Sequence, residues 1–126
     1  MSLQSPLARV RGLGSAKDGT AHWWAQRLTA VALIPLSLWF VFAVVALAGG
    51  DLAAYTEWVK APGTVLLLVL FVAALFYHLS LGLQVVVEDY VTGEKKKVVT
   101  IVLIKFAAVV LAVSSIVSVF QVAFGG

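Results

Sequence analysis

The sequence predicts an all-α integral membrane protein with three transmembrane helices. Its 126 residues are 62% apolar and only 12% charged, about half the charged fraction of an ordinary soluble domain. Three apolar stretches each exceed the ~20 residues needed to cross a bilayer: Leu28 to Gly50, Ala61 to Val87 and Val98 to Phe124. Backbone groups in hydrocarbon must bond within their own segment, so runs of this length are helices. The third observation is the placement of charge. Arg9, Arg11, Lys17, Arg27, Lys95, Lys96, Lys97 and Lys105 lie on one side of the spans, and Lys60 alone lies in the loop on the other. The positive-inside rule then puts the N-terminus and the second loop in the cytoplasm and the C-terminus outside.

Taken in order, residues 1–21 form a cytoplasmic N-terminal segment, polar and glycine-containing, expected to be irregular and to rest against a partner. Residues 22–126 form the membrane domain, with spans at about 22–49, 62–90 and 97–124. His22-Trp23-Trp24 stands where the first span enters the membrane, a position suited to interfacial tryptophans. Pro35 removes a hydrogen bond inside that span and should bend it. Gly49-Gly50-Asp51 ends the span, and Tyr55 and Trp58 read as aromatics of a short interfacial segment. Pro62 suits the first turn of the second span. Thr92-Gly93-Glu94 makes the turn into the third, and the lysines after it serve topology and head-group contact. Lys105, within two turns of that start, can snorkel. Ser114, Ser115 and Ser118 read as a helix-packing face.

Several classes of function are excluded. Without cysteine the chain holds no iron–sulfur cluster, thiolate zinc or disulfide. Gly12-Leu13-Gly14 has neither the preceding strand nor the following acid of a nucleotide fingerprint, and the net charge of +3 reflects membrane topology rather than a nucleic-acid surface. The first ~20 residues lack the apolar core of a cleavable signal peptide, and they are too poor in arginine for a mitochondrial transit peptide. A bacterial cytoplasmic membrane is the expected location.

The polar residues of the second span carry the chemistry. His78 lies in a stretch with no other acidic or basic side chain from Ala61 to Val87, and such a group at membrane depth usually faces a partner, a cavity or a cofactor. From His78 to Asp89 a helix turns by about 1100°, three turns plus ~20°, so imidazole and carboxylate share a face ~16 Å apart along the axis. Gly82, one turn after His78, leaves that face open to a flat ligand or another helix. Three roles fit His78: interhelical hydrogen bonding, a proton relay, or axial ligation of haem. A relay usually needs further acids at membrane depth, and none is present. A six-coordinate haem needs a second ligand, and no other histidine of the chain lies inside the membrane. Tyr90 at the hydrocarbon edge is an ordinary belt residue or a hydrogen-bond donor to a quinone carbonyl, with Asp89 to bias or supply the proton. Arg27 snorkels or pairs with a haem propionate, and His22 bonds a propionate or a head group.

The pattern His78-x3-Gly82-x6-Asp89-Tyr90, on the second of three spans, resembles the hydrophobic membrane-anchor subunits of succinate dehydrogenase, respiratory complex II. The entry to the first span, Gly19 to Ala30 with its Arg27-x-Thr29-Ala30 element, is similar to that family's entry. The resemblance implies one haem b shared with a second anchor subunit, His78 giving one axial ligand and the partner the other. It further implies Tyr90 and Asp89 at a ubiquinone-reduction site and Arg27 near the propionates. Flavoprotein and iron–sulfur subunits would carry succinate oxidation, leaving this chain no such site of its own. The competing expectation is a small transporter or a structural scaffold without haem, in which His78 only joins helices.

Overall fold

The computed structural model describes residues 5–7 and 17–125; Arg9, Arg11 and Gly12-Leu13-Gly14 lie outside the described residues. Within them the chain is all helical: α1 (Lys17–Leu47), α2 (Leu52–Lys60), α3 (Pro62–Tyr90) and α4 (Glu94–Phe124). Three of these are long and apolar enough to cross a membrane. The 29 residues of α3 extend about 43 Å at 1.5 Å per residue, so both ends project past a ~30 Å hydrocarbon layer.

Each boundary has a local cause. The chain leaves α1 through Gly49, whose φ of +84° is open to glycine at no steric cost. Asp51 then accepts the Ala54 amide at 2.9 Å and caps α2. The interfacial segment expected around Tyr55 and Trp58 is thus a regular short helix. Pro62 stands in the first turn of α3, where its missing N–H costs nothing. Gly93, with φ of +92°, turns the chain between α3 and α4. Helix α1 runs on through Pro35. It also begins at Lys17, inside the segment expected to be irregular: residues 17–21 continue the helix out of the apolar layer, where hydropathy gives no sign of it.

Helix α3 is central. It packs against α1 on one side and α4 on the other, and α2 folds under α3 and α4 at one end. Among the described residues the buried ones, apolar Val65, Leu68, Leu81 and Val87 and polar Thr64 and Ser80, all belong to α3. Phe40 of α1 stacks on Phe71 of α3 with centroids 4.9 Å apart, and Trp39 stacks on Trp58 at 5.9 Å, which ties α2 to α1. The outer faces of α1 and α4 are exposed, including Val31, Phe42, Leu103 and Phe106. Lipid tails are as apolar as these side chains, so such faces are stable against lipid or a neighbouring subunit alike. On the expected serine face Ser115 is half-buried, while Ser114 and Ser118 are exposed. Ser115 and Ser118 donate to the carbonyls of Leu111 and Ser114 one turn back, at 2.7 and 2.9 Å, which satisfies both hydroxyls inside α4.

Candidate functional site

The site is built where α1 crosses α3. His78 is half-buried on the α1 side of α3, and its Nδ1 lies 2.9 Å from Oγ1 of Thr29. The two residues are 49 positions apart in sequence. Thr29 is anchored in turn: its hydroxyl approaches the carbonyl oxygens of Ala25 at 2.7 Å and Gln26 at 3.1 Å. The imidazole forms part of the wall of an open concavity of about 410 Å³ with Ala30, Leu33, Ile34, Ser37 and Leu38 of α1. One turn along α3, a Cβ added at Gly82 would meet nothing within 4 Å. This side of the α1–α3 pair therefore offers an apolar surface with one ring nitrogen engaged and the backbone bare beside it.

The other expected residues divide between two faces. Arg27 precedes Ile34 by seven residues and Leu38 by eleven, each within ~20° of whole helical turns, so it continues the stripe that lines the concavity. Its guanidinium lies 5.4 Å from the Trp23 ring centroid, a cation–π arrangement that holds it at the helix entry. Asp89 and Tyr90 are exposed at the C-terminal end of α3, Tyr90 by 82%. Asp89 keeps the register with His78 expected of eleven helical steps. Its neighbour Glu88 is the carboxylate already engaged, accepting from Gln84 Nε2 at 2.9 Å.

His22 is separated from the rest. It lines a larger groove of about 650 Å³ between α1 and α4, together with Tyr77, Ser80, Gln84 and Lys105. Its Nε2 is buried without a hydrogen-bond partner. Sequence reasoning missed Thr29 as a functional residue. A hydroxyl at the very start of an apolar run, two residues after Arg27, was the available signal, but its partner depends on how α1 and α3 cross. Among the described residues no three His, Asp or Glu side chains converge, and His78 stands as a single imidazole on this face.

Fold and site together define a class: a three-span helical membrane subunit that presents a single imidazole on one side face and an acid–phenol pair at the membrane edge. The sequence profile of the succinate dehydrogenase/fumarate reductase transmembrane subunit matches residues 1–119. The chain is 33% identical over 117 residues to the succinate dehydrogenase hydrophobic membrane anchor subunit of Rickettsia bellii, covering 93% of this chain and 94% of that one. It is 32% identical to the subunit of the same name in Paracoccus denitrificans, over 86% of this chain and 84% of the relative. The succinate dehydrogenase membrane anchor subunit of Reclinomonas americana is 33% identical over 74% of this chain and 80% of its own length. The chain belongs to the succinate dehydrogenase/fumarate reductase transmembrane subunit family, as a membrane-anchor subunit of an oxidoreductase complex.

Proposed function

We propose that this chain anchors a succinate:ubiquinone oxidoreductase in the bacterial cytoplasmic membrane, shares one haem b with a second anchor subunit, and contributes Tyr90 and Asp89 to the ubiquinone-reduction site. In this reading the iron–sulfur and flavoprotein subunits dock on the cytoplasmic side, where the N-terminus and the α3–α4 turn lie, and they oxidise succinate there. The basic residues at Arg27, Lys95, Lys96 and Lys97 favour that orientation.

The residues fit a haem. His78 supplies one imidazole with Nδ1 engaged by Thr29, which leaves Nε2 for a metal. The wall around it is apolar apart from Ser37, and Gly82 leaves room for a flat macrocycle. Arg27, on the same stripe near the start of α1, would pair with a propionate. When bound, the haem supplies a one-electron carrier beside the quinone site. A second ligand would come from the partner subunit. His22 faces the α1–α4 groove rather than this concavity, so Arg27 is the stronger candidate for a propionate contact.

At the quinone site Tyr90 donates its hydroxyl proton in a hydrogen bond to a quinone carbonyl oxygen, and that bond tightens as negative charge develops there. Asp89 biases the local proton supply. The observation that carries the reading is the His78 environment: a half-buried imidazole in a membrane helix, one nitrogen held and the ring facing an open apolar wall. The bond to Thr29 also suits a scaffold in which His78 only joins α1 to α3. A reduced-minus-oxidised spectrum of the purified complex separates the two. A b-type band with bis-imidazole character supports the haem reading, and its absence supports the scaffold.

A further inference from the structure

Thr29 sits between two demands on one hydroxyl. Its Oγ1 lies 2.7 Å from the Ala25 carbonyl oxygen and 3.1 Å from that of Gln26, while His78 Nδ1 lies 2.9 Å away on another helix. A hydroxyl carries one proton and can accept through its lone pairs. Carbonyl oxygens only accept, so the contacts to Ala25 and Gln26 require the Thr29 proton. Threonine in a helix commonly adopts this arrangement, with Oγ1 bonded to the carbonyl three or four residues back. With its proton so committed, Oγ1 meets His78 as an acceptor, and Nδ1 must carry the hydrogen. The imidazole is then the Nδ1–H tautomer, and Nε2 keeps its lone pair.

The opposite assignment has a physical cost on both helices. It would strip the Ala25 carbonyl of the hydroxyl proton and leave an Nε2–H donor on a ring that lines a mainly apolar wall of alanine, leucine and isoleucine, where Ser37, eight residues beyond Thr29, is the one hydroxyl. Donors without partners in such surroundings are disfavoured. A bare Nε2 lone pair is the form that binds a metal, and a hydrogen bond from the far ring nitrogen both orients an imidazole and raises its basicity.

We infer that Thr29 is a positioning residue for His78: it accepts the Nδ1–H hydrogen bond, fixes the tautomer with Nε2 unprotonated, and sets the donor strength of that nitrogen toward iron. The inference rests on the haem reading proposed above. It predicts a graded effect that loss of helix packing would not give. Thr29→Val keeps the branched shape and removes the acceptor; Thr29→Ser keeps the acceptor and removes a methyl.

The test uses the assembled, purified complex carrying each substitution, with haem content, the haem midpoint potential and the low-spin ferric electron paramagnetic resonance signal as readouts. Thr29→Val should shift the potential upward, because a less basic ligand stabilises ferric iron less. It should also change the resonance signal and weaken haem retention against a competing apo-globin by about tenfold, the lower end of outer-shell effects on metal affinity. Thr29→Ser should match the unsubstituted complex in all three. Wild-type potential and signal in Thr29→Val would overturn the inference, and so would a Thr29→Ser complex altered as much as Thr29→Val. His78→Leu, run alongside, separates the two levels. If it abolishes the signal while Thr29→Val leaves it untouched, the haem reading stands and the role of Thr29 falls. If it too leaves the haem unaltered, both fall.

Discussion

Replacing Tyr90 by phenylalanine should divide the complex into two separately measurable halves. The side chain is 82% exposed at the end of α3, so losing the hydroxyl leaves no cavity and no buried orphan within this chain. The ring, its interfacial packing and the helix end at Val91, whose amide bonds Val87 O at 2.9 Å, all persist. Assembly should therefore be nearly normal. What disappears, under the proposed role, is a hydrogen-bond donor to the quinone oxygen. A preorganised donor that tightens as negative charge develops is worth ~10²-fold to 10³-fold in a dry site. Tyr90 stands at the membrane edge, where water competes, so the expected loss is smaller: about tenfold to a hundredfold, or ~1.4–2.7 kcal/mol in the barrier. The assay compares two acceptors in the same preparation. Succinate oxidation by a soluble artificial acceptor bypasses the quinone site and should survive, while ubiquinone reduction should fall in that range. Full ubiquinone reductase activity in the Tyr90→Phe complex would remove Tyr90 from the chemistry and return it to the aromatic belt.

Other substitutions probe the same account from different sides. Asp89→Asn should reduce ubiquinone turnover less than Tyr90→Phe if the acid only biases local protons, and equally if it donates one; an unchanged rate would take Asp89 out of the site. Gly82→Leu should insert normally, because a Cβ there meets nothing within this chain, yet lower haem content by filling the gap beside His78; full haem in that variant would show that the macrocycle does not use the gap. Single cysteines at Ala53 and Thr92 test topology without straining Gly93, whose φ is +92°: the first should label from outside and the second only from the cytoplasm, and the reverse would move the quinone site to the other surface. Asp51→Ala should release the cap on α2, costing about 1 kcal/mol and speeding amide exchange in that helix roughly fivefold, while Asp51→Asn should keep it.

Hydropathy made the spans legible because each is a long apolar run, broken only by single groups such as His78 and Lys105, with punctuation at its ends. Pro62 and Gly93 bracket α3 and the turn after it, and the helix observed, Pro62–Tyr90, coincides with the expected span. The extension of α1 back to Lys17 was not legible, since a polar helix above the membrane carries no hydropathy signal. The His78–Gly82–Asp89 stripe could be read because helical periodicity fixes positions along one element. Thr29 and His22 could not be assigned, because their surroundings depend on how α1, α3 and α4 cross. Seven residues separate them, ~20° short of two turns, yet Thr29 meets His78 and His22 opens onto the α1–α4 groove. The serines of α4 show a related limit: their spacing suggests a packing face, and it does not reveal that the hydroxyls of Ser115 and Ser118 bond to the preceding turn.

The central claim is that His78 is this chain's ligand to a shared haem, and His78→Leu tests it most directly. Leucine keeps α3 apolar and removes both ring nitrogens, including the one that meets Thr29 at 2.9 Å. The measurement is haem content relative to covalent or tightly bound flavin in the purified complex, read with the ferric low-spin signal. Haem should fall by about tenfold or more, and any that remains should lose the bis-imidazole signature. Undiminished haem with an unchanged low-spin signal would contradict the assignment and leave His78 as a bond between α1 and α3.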